Sequence, residues 1–311
     1  MTSLPVANTT RSAGTAGLAK PSWSRDGADW PNRQASQFVR AAGIDWHVQR
    51  LGSGPPILLL HGTGAATHSW AGLAPLLASR FSVIAPDLPG HGFTSTPSAE
   101  RLSLPGMAEA LAALLQALAV APRLAVGHSA GAAILARMSL DRQIAPDGLV
   151  SLNGAILPLG GLPGHLFSPV ARLCAGSALL PRLFAWHAAQ RNVVENLLRD
   201  TGSRLDPAGI EFYRRLFRRP GHVAAALGMM AAWDLRPLAR DLPRLQPPLA
   251  QLIGANDRTI PPRDAARVRA LVRSATLDLL PGLGHLAHEE APMTLAPLIL
   301  RHAVLWGVLP S

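Results

Sequence analysis

Residues 123–135 read Arg123-Leu124-Ala125-Val126-Gly127-His128-Ser129-Ala130-Gly131-Ala132-Ala133-Ile134-Leu135, and this stretch decides the fold. The apolar run 124–126 reads as a buried strand, a G-x-S-x-G follows at once, and an Ala/Leu-rich segment over 130–140 has helical character. A strand that turns straight into a helix leaves little space beside the turn. Gly127 and Gly131 supply the missing side chains, so the hydroxyl of Ser129 is pushed out above the sheet. The N–H of Ala130 lies at the helix N-terminus, where orphan donors and the helix dipole favour a developing negative charge. One turn thus predicts a serine nucleophile and the first donor of an oxyanion hole.

Working outward, strands are expected over 37–42 and 45–51, separated by Gly43 as an edge hairpin. A buried strand over 55–60 runs into His61-Gly62-Thr63-Gly64, followed by a helix over 70–79, a strand over 81–85 and the loop Pro86-Asp87-Leu88-Pro89-Gly90-His91-Gly92. Met107, Leu111, Leu114, Leu115 and Leu118 repeat at helical spacing over 105–120, and 148–152 is a further strand. This alternation predicts an α/β fold with a mainly parallel sheet flanked by helices. From about 155 to 245 the alternation stops. That arginine-rich segment has helical character and reads as a cap inserted over the C-terminal edge of the sheet, where such sheets bind ligands. Strand (248–253), helix (263–272), strand (276–280), the turn Pro281-Gly282-Leu283-Gly284 and a helix ending near Val308 complete the chain. The expected organisation is a mobile tail over 1–20, a core formed by 21–154 and 246–311, and a helical cap over 155–245.

Three further pieces fit the serine. His61-Gly62-Thr63-Gly64 follows an early strand, the place from which the N–H of Thr63 supplies a second oxyanion donor, each such donor being worth roughly 3 to 4 kcal/mol in the transition state. Asp257 follows the strand over 248–253, where a carboxylate accepts from an imidazole N–H and fixes its tautomer; a turn-forming or helix-capping role for the Asn256-Asp257 pair is the alternative. The other place for an acid, after the 148–152 strand, reads Asn153-Gly154, which favours Asp257. His285 follows the last strand and is the expected general base; its rival His288 lies three residues further on, beside Glu289 and Glu290. A serine, not an aspartate, at the strand-to-helix turn tells against an aspartate nucleophile.

Composition narrows the function. At 311 residues and 48% hydrophobic, the chain is large enough for one α/β domain with an insertion. The formal charge of +10 comes from scattered arginines, without the dense basic block or stacking aromatics of a nucleic-acid binder. Cys174 is the only cysteine, so no intrachain disulfide forms. No secretory leader and no membrane-spanning run is expected, which points to the cytoplasm with peripheral membrane contact left open. His165, His187 and His222 fall in the expected cap without metal-binding spacing, and no metal or cofactor is expected.

The order Ser129, Asp257, His285 is that of the α/β-hydrolases. Over about 38–308 the sequence resembles that superfamily, on His61-Gly62-Thr63-Gly64, Asp87-Leu88-Pro89-Gly90-His91-Gly92, Gly127-His128-Ser129-Ala130-Gly131, Asp257 and Gly284-His285. The resemblance implies a Ser129/Asp257/His285 triad, an oxyanion hole from Thr63 and Ala130, and a structural role for Asp87. More narrowly, Asp29-Trp30-Pro31-Asn32-Arg33, Ala35-Ser36, Trp46-His47-Val48-Gln49 and the run from His61 to Trp70 resemble the magnesium-chelatase accessory hydrolases of bacteriochlorophyll biosynthesis. That likeness implies a photosynthetic setting, a magnesium porphyrin as substrate or ligand, and contact with magnesium chelatase. A porphyrin is a broad apolar plane with carboxylates at its rim. Trp186, Trp233, Met229 and Met230 are candidates to face such a plane, and Arg214, Arg215, Arg218 or Arg219 to pair with its propionates. The expected activity is a serine hydrolase acting on an ester or related acyl bond of a bulky apolar substrate, the alternative being a tetrapyrrole-binding accessory factor without turnover.

Overall fold

Successive residues of the central strands are mostly apolar because both faces of the sheet are covered. Ile57, Leu59, Val83, Leu124, Val126, Val150 and Leu252 point into one core, while Leu58, Leu60, Ile84, Ala125 and Leu149 point into the other. The computed structural model describes residues 17–158, 179–188, 190 and 192–310. Strands β1 (Ser36–Ala41), β2 (Ile44–Leu51), β3 (Pro56–Leu60), β4 (Ser82–Pro86), β5 (Leu124–His128), β6 (Gly148–Leu152), β7 (Leu249–Gly254) and β8 (Ala275–Leu280) form one sheet in the order β1-β2-β4-β3-β5-β6-β7-β8. The β1–β2 and β2–β4 pairings are antiparallel, and those from β4 to β8 are parallel. The loops that leave β3, β5, β6, β7 and β8 therefore share one edge.

The helices are α1 (Trp23–Asp26), α2 (Leu73–Leu77), α3 (Leu104–Ala117), α4 (Ala130–Leu140), α5 (Leu179–Ala188), α6 (Val193–Asp200), α7 (Pro207–Phe217), α8 (Pro220–Ala232), α9 (Arg236–Asp241), α10 (Pro262–Leu271), α11 (Ala287–Glu290) and α12 (Pro292–Leu305). Helices α3, α4 and α10 cover one face, α2 and α12 the other. The helix expected over 70–79 is instead a 3-10 turn at Thr67–Trp70 followed by α2. Starting at Leu73 puts Pro75 in the first turn, whereas an earlier start would drive its ring against a carbonyl of the preceding turn.

Between β6 and β7 the described residues are helices and their connections, α5 to α9. The segment before β1 clips this insertion to the core. Gly221 N–H donates to the Ala19 carbonyl (2.8 Å), Arg219 pairs with buried Asp26, and Arg215 grips both oxygens of Asp29 (2.5 and 3.1 Å). Trp30 donates to Thr67 Oγ1 (3.0 Å) and stacks edge-on against Phe212 of α7. Of the tail expected over 1–20, residues up to 16 lie outside the described residues, while Leu18 is buried and the backbone carbonyls of Leu18 and Ala19 lie against Gly221 of α8. His165 and Cys174 also lie outside the described residues. The four arginines considered as propionate partners face protein carboxylates instead: Arg214 and Arg218 meet Glu211, Arg215 meets Asp29 and Arg219 meets Asp26.

Candidate active site

Ser129 stands between β5 and α4 with φ 50° and ψ −116°, a region that costs a non-glycine residue about 1–3 kcal/mol and persists only when its surroundings enforce it. Backbone bonds do so. Ser129 N–H donates to Leu152 O (3.0 Å), and its carbonyl accepts from Ala132 (3.2 Å) and Ala155 (3.0 Å). A Cβ on Gly127 would lie 2.4 Å from Ala132 N and one on Gly131 2.2 Å from Leu60 O, so both glycines permit the helix start to press onto β5 and β3. Ala130 is the first residue of α4, where its N–H has no intrahelical acceptor.

The loop after β3 approaches this turn closely. A Cβ on Gly62 would lie 2.9 Å from the Ser129 Cβ and 3.0 Å from His128 Nδ1. The preceding His61 is buried; its Nε2 accepts from Leu88 N–H (2.9 Å), which leaves the proton on Nδ1 to donate to Gly62 O (2.8 Å). Thr63 Oγ1 reaches Met229 Sδ on α8 at 3.5 Å. His222, also on α8, accepts from Gly92 N–H (3.1 Å) and donates to Gly64 O (3.0 Å), binding the insertion to the loops after β4 and β3 with one ring nitrogen each. A methyl at position 62 must push the loop away from Ser129. Gly62→Ala is therefore expected to cost about 1–3 kcal/mol in stability, checked by denaturant unfolding; unchanged stability would show that the loop tolerates the shift.

On the far side of the turn, His285 Nδ1 donates to Asp257 Oδ2 (2.8 Å), and both residues are buried. The other oxygen of Asp257 accepts from the backbone N–H groups of Thr259 (2.8 Å) and Ile260 (2.9 Å). Asn153, whose presence argued against an acid at its own position, donates through Nδ2 to Asp257 Oδ2 (2.7 Å) and adopts a left-handed φ of 47°. Nothing local in the sequence marks that partnership. Ser203 from the insertion accepts from Leu286 N–H (2.8 Å) and steadies the histidine loop. The rival His288 stands beside the turn without joining it: its ring packs against His128 (4.4 Å) and Trp70 (4.7 Å), and among the described residues both ring nitrogens are without a hydrogen-bond partner.

Buried imidazoles surround the site. Burial pushes His68 and His288 down to about 3 and His222 down to about 4, and holds His61, His91 and His128 below their ordinary range. Burial pushes Glu289 the other way, up to about 8, with Glu290 and Asp206 adding to the rise and the Tyr213 hydroxyl, 2.6 Å away, opposing it. The signs differ. Below about pH 6.5 the unfolded chain protonates histidines that stay neutral in the fold, so His68, His288 and His222 each remove about 1.4 kcal/mol of stability per pH unit as pH falls toward 5, and the other buried rings act in the same direction. Glu289 stays protonated in the fold up to about 8 but ionises near 4.5 when unfolded, so its contribution is lost as pH rises. The three rings held at about 3 to 4 already outweigh one carboxyl on the acid side, and the maximum is expected near about pH 7. Denaturant unfolding from pH 5 to 8 should show a steep acid limb and a shallow alkaline decline that Glu289→Gln removes. A flat acid limb would contradict this.

Of the residues considered for substrate contact, Met229 is buried beside Thr63 and Trp233 packs on the core, whereas Trp186 and Met230 are 67% and 50% exposed. Phe217 of α7, not singled out in the sequence, lies 3.4 Å from where a Cβ on Gly64 would stand. His187 is exposed, and an open cleft of about 660 Å³ lined by Arg137, Asp141 and Asp241 shares no residue with the site.

A model of the alpha/beta hydrolase family matches residues 57–298. The chain is 40% identical over 275 residues to the magnesium-chelatase 30 kDa subunit of Rhodobacter capsulatus, covering 88% of this chain and 96% of that protein. Its fold matches an alpha/beta hydrolase fold protein from Burkholderia ambifaria (TM-score 0.73, 25% identity, 86% of this chain and 97% of that one). It also matches an epoxide hydrolase (TM-score 0.75, 21% identity, 87% and 98%).

Proposed function

The chain belongs to the alpha/beta hydrolase family, and from that premise we propose that it is a serine hydrolase using Ser129, His285 and Asp257. His285 Nε2 takes the Ser129 proton as Oγ attacks the acyl carbon, the N–H groups of Thr63 and Ala130 stabilise the oxyanion, and the protonated imidazole then returns its proton to the leaving group. Water releases the acyl group by the same steps in reverse. The observation that carries this reading is the Asp257–His285 bond of 2.8 Å at the sheet edge from which Ser129 projects: Nδ1 holds the proton, so the Nε2 lone pair is left to serve as base. Met229 at Thr63 and Phe217 at Gly64 support a bulky apolar acyl substrate, with Trp233, Trp186 and Met230 as further contacts on the insertion, which serves as a cap.

The likeness to a protein named as a magnesium-chelatase subunit supports a magnesium tetrapyrrole as substrate, contact with the chelatase, and a role in bacteriochlorophyll formation. Among the described residues no helix is long and apolar enough to cross a membrane, and the proposed location is cytoplasmic, with peripheral membrane contact. The same likeness favours a second reading, a tetrapyrrole-binding accessory factor that works without turnover. Fluorophosphonate labelling, read by peptide mass with and without magnesium protoporphyrin, separates the two. Stoichiometric modification of Ser129 blocked by the porphyrin is expected for the hydrolase; no modification together with tight porphyrin binding would establish the carrier.

A further inference from the structure

His128 lies between Gly127 and Ser129, and its side chain faces the loop that carries His285. It is 3% exposed, its ring centroid stands 4.8 Å from that of His285, and its Nε2–H donates to the His285 carbonyl oxygen at 3.0 Å. Among the described residues its Nδ1 has no hydrogen-bond partner, and it faces the Gly62 backbone so closely that a Cβ there would lie 3.0 Å away. A neutral imidazole has one donor, and Nε2 is the nitrogen with an acceptor to receive it. One ring therefore touches the elbow, the loop after β3 and the histidine loop.

We propose that His128 is a positioning residue whose Nε2–H fixes the main chain of His285 against the elbow, setting the distance between the nucleophile and its base. The proposal rests on the hydrolase reading. The histidine loop has other supports, namely Gly284 N–H on Glu290 (2.9 Å), Leu286 N–H on Ser203 and Asn153 Nδ2 on Gly284 O (3.3 Å), and these tie it to α11, the insertion and the loop after β6. The His128 bond runs from the residue adjoining Ser129, so it alone of these four couples base to nucleophile directly. Burial, with His288 and His285 adding repulsion, keeps the ring neutral. That suits a donor beside a base that becomes cationic during turnover.

The test is the rate of Ser129 phosphonylation by a fluorophosphonate in wild type, His128→Phe and His128→Gln, with the maximal rate separated from the binding constant of the probe. Phenylalanine keeps the ring and removes the donor; glutamine places an N–H near the Nε2 position. The maximal rate is expected to fall about a hundredfold in the phenylalanine variant with probe binding unchanged, and to recover at least about tenfold in the glutamine variant. A phenylalanine variant as fast as wild type, or a glutamine variant no faster than phenylalanine, overturns the proposal. Imidazole ¹⁵N spectra of the wild type decide independently of how the variants fold: the Nε2–H tautomer at His128 is expected, and Nδ1–H overturns the bond. Wild-type protein unlabelled at Ser129 would refute the hydrolase reading, and the tautomer would still decide the bond.

Discussion

Replacing Ser129 with alanine is expected to abolish acyl-bond hydrolysis, by up to about a millionfold if Ser129, His285 and Asp257 act as one unit, while leaving the fold nearly intact. The loss is large because oxygen and base contribute nothing without each other. The fold survives because the turn is held by backbone bonds to Leu152, Ala132 and Ala155 and by two glycine contacts, none of which involves the hydroxyl. Alanine also meets the same steric limits as serine at φ 50°. Steady-state hydrolysis of a p-nitrophenyl ester beside thermal unfolding of both proteins tests this, and a variant with wild-type turnover would remove Ser129 as nucleophile.

What the sequence makes legible are constraints that act over a few residues. The glycines of the elbow, the loop at Gly62 and the histidine after β8 each sit where a strand end dictates a turn, so spacing alone locates them. Relations across the chain are not written that way. Asn153 reads as a missing acid, yet it donates to Asp257, 104 positions away, because β6 and β7 are neighbours in the sheet. His222 looks like an isolated cap residue until α8 brings it between Gly64 and Gly92. Arg215 of α7 and Arg219, just before α8, show the same limit: their charge invites a ligand, but Asp29 and Asp26 of the N-terminal segment reach them first. Composition also cannot say which way a helix faces, which is why Met229 is buried at Thr63 while the adjacent Met230 is half-exposed.

Asp257→Asn is expected to cost about four orders of magnitude in kcat, through the tautomer of His285 rather than through lost folding. The backbone decides the outcome. One oxygen of Asp257 accepts from the N–H groups of Thr259 and Ile260, which cannot rotate away, so an asparagine must keep its carbonyl there and turn its NH2 group toward His285 and Asn153. His285 can meet that group only by offering a lone pair at Nδ1, which moves its proton to Nε2 and leaves no base facing Ser129. Asn153 must at the same time flip its amide to present oxygen. Asn153→Ala removes a donor but keeps the carboxylate, so its effect should be smaller, about ten- to a hundredfold. If Asp257→Asn retains activity within about tenfold of wild type, the acid lies elsewhere; a loss matched by Asn153→Ala would instead mean that the Asn153 contact, and not the charge of Asp257, holds the imidazole in place.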